Sequence, residues 1–182
     1  MHLTDVPYTH AFAVDAAELT DDERDYLARG RAWQMAEGAY ALEQSTKPHT
    51  LAAALGDSPA GLAAWIVEKL RSWSDCGGDV ESVFPRDDLL TWVTSYWVTE
   101  TIGTSFSPYV EQAEPVARVD VPTVVTLFPH DLVPAPRAFG ERFFDVRIWD
   151  EQSSGGHFAA WERPHAFADG LRAAVALSRI PS

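Results

Sequence analysis

Apolar positions recur along this chain in two rhythms, and the change of rhythm divides it. In the first part they return every three or four residues, the spacing that lines one side of a helix. Thr20-Asp-Asp-Glu23 has the form of a capping box, with Glu23 placed to reach back to the Thr20 amide, and the helical pattern behind it carries Tyr26, Leu27 and Trp33. Asp21, Asp22, Glu23 and Asp25 then lie at the positive end of the helix dipole, a structural explanation for that acidic run. A second helix is predicted over about Thr50 to Leu55, stopped by Gly56. Ser58-Pro59 restarts the chain as N-cap and first helical residue, and Leu62, Ile66, Leu70 and Trp73 share a face. Asp75-Cys-Gly-Gly-Asp79 reads as a loop. A third helix from Asp87 carries Leu89, Val93, Tyr96 and Trp97 to about Glu100, after which Gly103, Pro108 and Pro115 mark irregular chain.

Beyond Pro115 the rhythm changes. Val121 to Phe128 is a β-branched and apolar run closed by Pro129, Phe143 to Trp149 is a second, and a short helix near Arg137 to Arg142 separates them. From Pro164 the tail places Phe167, Leu171, Ala174 and Leu177 on one helical face, with Pro181 beyond its end. The chain therefore divides into a helical block, residues 8–115, and a βαβα block, residues 116–182, with Met1 to Val6 as a possible further strand. The predicted class is α/β with too few strands: a parallel pair normally belongs to a larger sheet buried on both faces, and two strands alone are marginal in water.

Composition narrows the partners. The chain has 182 residues, about one domain, and 46% of them are apolar, which supports a core and argues against disorder. Twenty-seven acidic against 14 basic side chains leave a net charge of -13, so neither nucleic acid nor an anionic membrane is an expected partner. One cysteine, Cys76, excludes an internal disulfide. The start carries no basic leader, and the apolar run from Ala60 to Val67 falls far short of the ~18 residues of a span, so a cytoplasmic location is expected. The six histidines are scattered and Gly155-Gly156 is too short for a phosphate loop, so no metal or cofactor is expected.

Candidate chemistry gathers after the two strands. Gly155-Gly-His157-Phe-Ala-Ala160 follows the second, and Phe128-Pro-His-Asp131 follows the first; open α/β sheets place their sites at such carboxyl ends. A histidine base is held in its useful tautomer by a carboxylate on its other nitrogen, and Asp131 followed 26 residues later by His157 has the acid-then-histidine order of α/β-hydrolases. The competing reading makes Asp131 a cap for the next helix and His157 a satisfied loop residue. Of the seven tryptophans, Trp65, Trp73, Trp92 and Trp97 are candidates for lining an apolar pocket as well as for packing.

Gln44-Ser-Thr-Lys-Pro48, Asp57-Ser-Pro-Ala-Gly-Leu-Ala-Ala-Trp-Ile-Val-Glu-Lys69, Tyr96-Trp-Val-Thr99, Pro122-Thr123 with Phe128-Pro129, and Gly155 to Ala160, in that order, resemble microsomal-type epoxide hydrolases of the α/β-hydrolase superfamily. The resemblance is to their carboxyl-terminal half, beginning near His2-Leu-Thr-Asp-Val-Pro7. It implies the carboxyl-terminal part of an α/β-hydrolase fold with an incomplete sheet: residues 1–7 as the end of a core strand, 8–115 as a helical lid, and 116–182 as the remaining core. In that family an aspartate attacks an epoxide carbon, and a histidine with an acidic partner activates water to hydrolyse the ester. His157 and Asp131 match these last two roles. Two lid tyrosines hydrogen-bond the epoxide oxygen and donate a proton as the ring opens. Tyr40 and Tyr109 match them, with Tyr96 as a competing candidate.

The family's attacking aspartate lies in a Gly-Gly-Asp-Trp-Gly type elbow and its oxyanion hole begins in a His-Gly-x-Pro type loop, and this chain has neither. Gly77-Gly-Asp79 imitates the elbow, but Val80 follows and no strong strand precedes it. The resemblance therefore implies a truncated epoxide hydrolase-like chain, inactive alone, whose partners are a hydrophobic epoxide, a complementing amino-terminal half or its own copies. A non-catalytic fragment or interaction protein docking on another chain is the alternative.

Overall fold

The structure, a computed structural model, describes residues 1–111 and 117–178; Pro115 and Pro181, expected as breakers, lie outside them. The chain forms two compact units, one of Met1–Trp33, Trp73–Asp75 and Pro115–Ser182, the other of Gln34–Ser72 and Cys76–Glu114. Among the described residues no single helix is long and apolar enough to cross a membrane.

Among the described residues, the first unit is built on three parallel strands in the order β1 (His2–Leu3), β2 (Val119–Leu127), β3 (Phe144–Glu151). His2 and Leu3 pair with Val124 and Val125, which pair on their other side with Ile148 and Trp149. Proline inside a central strand normally argues against the assignment, because it cannot donate to a ladder. Pro122 is tolerated here at a register shift between Val119 and Pro122, and its carbonyl accepts from the chain's terminal amine. The buried half of β2, Thr123 to Thr126, follows this shift.

Helix α1 (Asp21–Glu37) opens on the capping box: Glu23 Oε2 accepts from the Thr20 amide at 2.8 Å and Thr20 Oγ1 from the Glu23 amide at 3.3 Å. Glu23 also accepts from Arg142 Nε at 2.6 Å and is 1% exposed. Tyr26 packs on Phe139, and its hydroxyl donates to the Val6 carbonyl at 2.8 Å. Val6, Tyr26, Val133, Ala135, Phe139, Phe143 and Phe144 form this unit's core. Tyr26 and Trp33 thus bring the start of α1 into the compact unit that holds the sheet, although periodicity alone groups it with the helices that follow.

The predicted short helix is α7 (Arg137–Phe143), and the tail is α9 (Pro164–Ser178). Within α9 the contact line differs from expectation: Leu171 is 44% exposed, while Gly170 is buried against His2 and Thr126. A Cβ at 170 would collide with those two side chains, so the bare glycine lets the helix backbone sit on the sheet and turns Leu171 outward.

The second unit is helical. After α1, helix α2 (Ala39–Thr46) has no counterpart in the predicted elements; α3 spans Pro48–Asp57, α4 Pro59–Ser72, α5 Arg86–Thr99 and α6 Ser107–Val110. Helix α3 starts earlier than expected, on Pro48, and runs through Gly56, where nothing approaches the missing side chain. It stops because Ser58 precedes a proline and is extended, at φ -133° and ψ 104°. The Ser58 hydroxyl then caps α4 by accepting from the Gly61 amide at 3.0 Å. Pro108 initiates α6 instead of breaking the chain. Leu55, Leu62, Val93, Ile102 and Phe106 form the core, with Trp65, Ile66 and Trp97 against it.

Candidate active site

Parallel strands deliver their carboxyl ends to one edge of the sheet, and the chain leaves all three ends in polar loops. The β2 and β3 loops are knitted together beyond the regular ladder. Gln152 N donates to the Leu127 carbonyl at 2.8 Å, and His130 N donates to the Gly155 carbonyl at 3.0 Å. That bridge brings Asp131 beside the glycine turn that carries His157. His157 Nδ1 lies 2.7 Å from Asp131 Oδ1, which also accepts from the Leu132 amide at 2.7 Å. The Asp131 side chain is 4% exposed and that of His157 is 40% exposed. A buried carboxylate with two donors on one oxygen holds the imidazole with Nδ1 protonated and leaves Nε2 as the basic atom. Asp131 does not cap α7, whose N-cap is Pro136.

Two further carboxylates fix the histidine loop, and sequence reasoning passed over both. Glu162, at the end of the short helix α8 (Ala159–Glu162), accepts from the amides of Asp75 at 2.7 Å, Gly156 at 2.9 Å and Phe158 at 3.0 Å. The last two flank His157. Asp75 accepts from the Gly155 amide at 2.8 Å, with Arg163 at 3.5 Å and His130 at 3.6 Å from its carboxylate. The His157 amide donates to the Trp73 carbonyl at 2.9 Å, and the Trp73 ring meets the imidazole edge-on at 5.7 Å. Gly155 has φ +108°, and a Cβ there would come within 2.8 Å of Phe128 Cδ1. A Cβ on Gly156 would sit 2.7 Å from the Trp73 carbonyl oxygen. The signal available in sequence was a glutamate five residues after the histidine at the end of an apolar run, and an aspartate opening the Asp75–Asp79 loop; neither spacing is distinctive without the fold.

At the end of β1 lies a third carboxyl, Asp5. Its Oδ1 accepts from the Ala135 amide at 3.2 Å. Burial first, then the charge of Asp131, push its pKa up to about 7, against the opposing pull of the Val6 and Ala135 amides and of His157.

In the second unit, Tyr40 on α2 and Tyr109 on α6 are 69 residues apart in sequence, yet their rings meet edge-on at 5.8 Å. Lys69 Nζ lies 5.3 Å above the Tyr40 ring, 2.8 Å from Glu68 and 3.7 Å from Glu37. Tyr96 belongs elsewhere: with Trp97, Glu100, Leu62 and Ile102 it lines a cavity of about 470 Å³. Of the four candidate pocket tryptophans only Trp97 lines it; Trp65 packs in the core, Trp92 against Phe84 and Trp73 against His157. Among the described residues no cluster of three or more His, Cys, Asp or Glu could hold a metal ion.

A parallel sheet that offers a carboxylate and then a histidine from successive strand ends defines the acid and histidine end of an α/β-hydrolase fold, here with three strands. With a relative from Stigmatella aurantiaca the chain shares 40% identity over 159 residues, 85% of this chain and 36% of the relative. With epoxide hydrolase 1 of Sus scrofa it shares 36% over 153 residues, 76% of this chain and 34% of that one. The crystal structure of juvenile hormone epoxide hydrolase from the silkworm Bombyx mori superposes with a TM-score of 0.78 at 28% identity, over 96% of this chain and 48% of its own. No family model matches the chain. The chain belongs with the epoxide hydrolases, corresponding to their carboxyl-terminal half. It spans about a third of the length of the curated relatives it matches.

Proposed function

We propose that this chain supplies the water-activating and epoxide-polarising groups of an epoxide hydrolase, and that the attacking carboxylate and oxyanion donors come from sequence outside these 182 residues. The observation that carries the reading is the 2.7 Å contact between buried Asp131 and half-exposed His157 at adjacent strand ends. In the proposed reaction a carboxylate opens the epoxide and leaves an alkyl ester. His157 Nε2 then takes a proton from water as the water oxygen attacks the ester carbonyl, and Asp131 stabilises the imidazolium that forms. The carbonyl–alkoxy bond breaks, the leaving oxygen takes the proton back from the His157 imidazolium, and the vicinal diol and the carboxyl group are released. Tyr40 and Tyr109 hydrogen-bond the epoxide oxygen, and one phenol gives it a proton as the ring C–O bond breaks; that phenol is reprotonated by the proton the released carboxyl gives up, and the mutual contact of the two rings supports the shared role. The substrate class is a hydrophobic epoxide.

The test uses the chain alone and the chain co-expressed with the amino-terminal half of a close relative. Alone it forms no diol from styrene oxide above a His157→Ala control; with the complementing half, diol appears. In that complex His157→Ala accumulates a covalent ester visible by intact mass. Asp131→Asn slows ester hydrolysis by about 10⁴, the cost of the analogous change in a serine-protease triad. Tyr40→Phe or Tyr109→Phe slows ester formation. Absence of any ester in the His157 variant of an otherwise active complex overturns the assignment. Complexes that assemble without any turnover favour a non-catalytic partner role.

A further inference from the structure

We propose that Asp5 is a positioning residue for the Asp131–His157 pair: a second carboxyl that holds the Asp131 loop through the Ala135 amide and, by gaining or losing its own proton, sets the charge the pair works beside. The inference deepens the reading above and rests on it. Its geometry is that of the sheet. The loops that follow three neighbouring parallel strands carry Asp5, Asp131 and His157 in turn, so the second acid stands behind the next strand from the first. Ala135, four residues beyond Asp131 in the same loop, donates its amide to Asp5 Oδ1 at 3.2 Å. Asp5 is itself partly buried, and its neighbours Val6 and Ala135 are at most 2% exposed.

The groups whose charge bears on Asp5 are Asp131 and His157. Arg29, from α1, reaches the same loop only at the Pro134 carbonyl, and its exposed guanidinium is engaged by Asp25. Burial and the like charge of Asp131 keep the Asp5 proton in place up to about pH 7. Below that pH Asp5 is neutral and adds no charge beside the pair; above it, Asp5 adds one negative charge. A second negative charge favours the imidazolium, so losing the Asp5 proton strengthens the histidine as a base while it pushes against Asp131.

The experiment is an NMR titration of the chain, following the Asp5 carboxyl carbon and the His157 ring signals, with Asp5→Asn, Asp5→Ser and Asp131→Asn. Asp5→Asn keeps an oxygen where the Ala135 amide needs it, whereas Asp5→Ser, one bond shorter, removes that acceptor along with the acid. In the unaltered chain Asp5 titrates near 7 and the His157 signals show an inflection at the same pH. Either Asp5 variant removes that inflection. Asp131→Asn lowers the Asp5 midpoint, because the like charge is gone. An acid whose folded pKa is raised costs stability as pH rises from its unfolded value through the folded one, so Asp5→Asn gains melting temperature at pH 8 relative to pH 4. Asp5 titrating near 4, or a His157 curve unchanged in Asp5→Asn, overturns the inference and leaves the pair intact. His157 signals unmoved by Asp131→Asn instead overturn the pair itself.

Discussion

At the scale of single residues, the same ion pair closes a cap and joins distant parts of the chain. Glu23 was legible as the fourth residue of a capping box, and the two hydrogen bonds of that box are present. Its second use was not legible, because Arg142 lies 119 residues away and arrives only when α7 packs on the shared core. The Arg142 guanidinium, by hydrogen bonding, holds the Glu23 carboxyl below the usual carboxylate range, with the Thr20 amide and hydroxyl adding to it. A depressed folded pKa gives stability that is present above the unfolded value and is lost as pH falls through the folded one. Glu23→Gln therefore costs about 2 kcal/mol at pH 7, between the values for exposed and fully buried pairs because Arg142 is partly solvated, and the difference from the unaltered chain closes in acid. Denaturant melts of both proteins between pH 7 and pH 2 check this; a pH-independent difference would sink the ion-pair account. His10 has the opposite history. Nothing in its sequence neighbourhood marks it, yet its ring meets those of both Phe143 and Phe144, and burial lowers its pKa.

At the scale of elements, helix starts were readable and loop positions were not. Caps and prolines act within a few residues, so Thr20, Ser58 and Pro164 located α1, α4 and α9. The facing of α9 depended on which residue let the helix approach the sheet, and a glycine has no side chain to announce that. The histidine loop likewise depends on α8 returning Glu162 beneath its own N-terminal amides. A carboxylate that accepts from three amides cannot be replaced by an amide, whose nitrogen presents hydrogens where an acceptor is required. Glu162→Gln is expected to destabilise the chain by about 2 kcal/mol and to remove hydrogen-exchange protection from Gly156 and Phe158. Loss of stability with those amides still protected would show that Glu162 acts elsewhere.

At the scale of the whole molecule, the sheet decides behaviour. Among the described residues, three parallel strands, one of two residues, leave β1 and β3 at the edges, with Val121 49% and Ile148 38% exposed. Parallel sheets are normally covered on both faces, and uncovered edges recruit other strands. The isolated chain is therefore expected to self-associate despite its charge of -13. Size-exclusion chromatography with light scattering checks this; a monomer melting in one cooperative step would count decisively against it. Addition of a complementing amino-terminal half is expected to convert the assemblies to a one-to-one complex.

What the amino-acid sequence determined by itself was local or repeated: helix periodicity, capping residues, the βαβ rhythm, and the order of Asp131 and His157 behind successive strands. These follow from contacts within a few residues or from a pattern that each strand carries alone. Tertiary structure decided the rest. It placed Tyr40 against Tyr109 through the packing of α2 and α6. It brought Glu162 and Asp75 under the histidine loop and set Asp5 beside Asp131, by closing chain segments up to 130 residues apart. Such contacts exchange side-chain hydration for a partner that only the assembled fold supplies, so neither spacing nor composition records them.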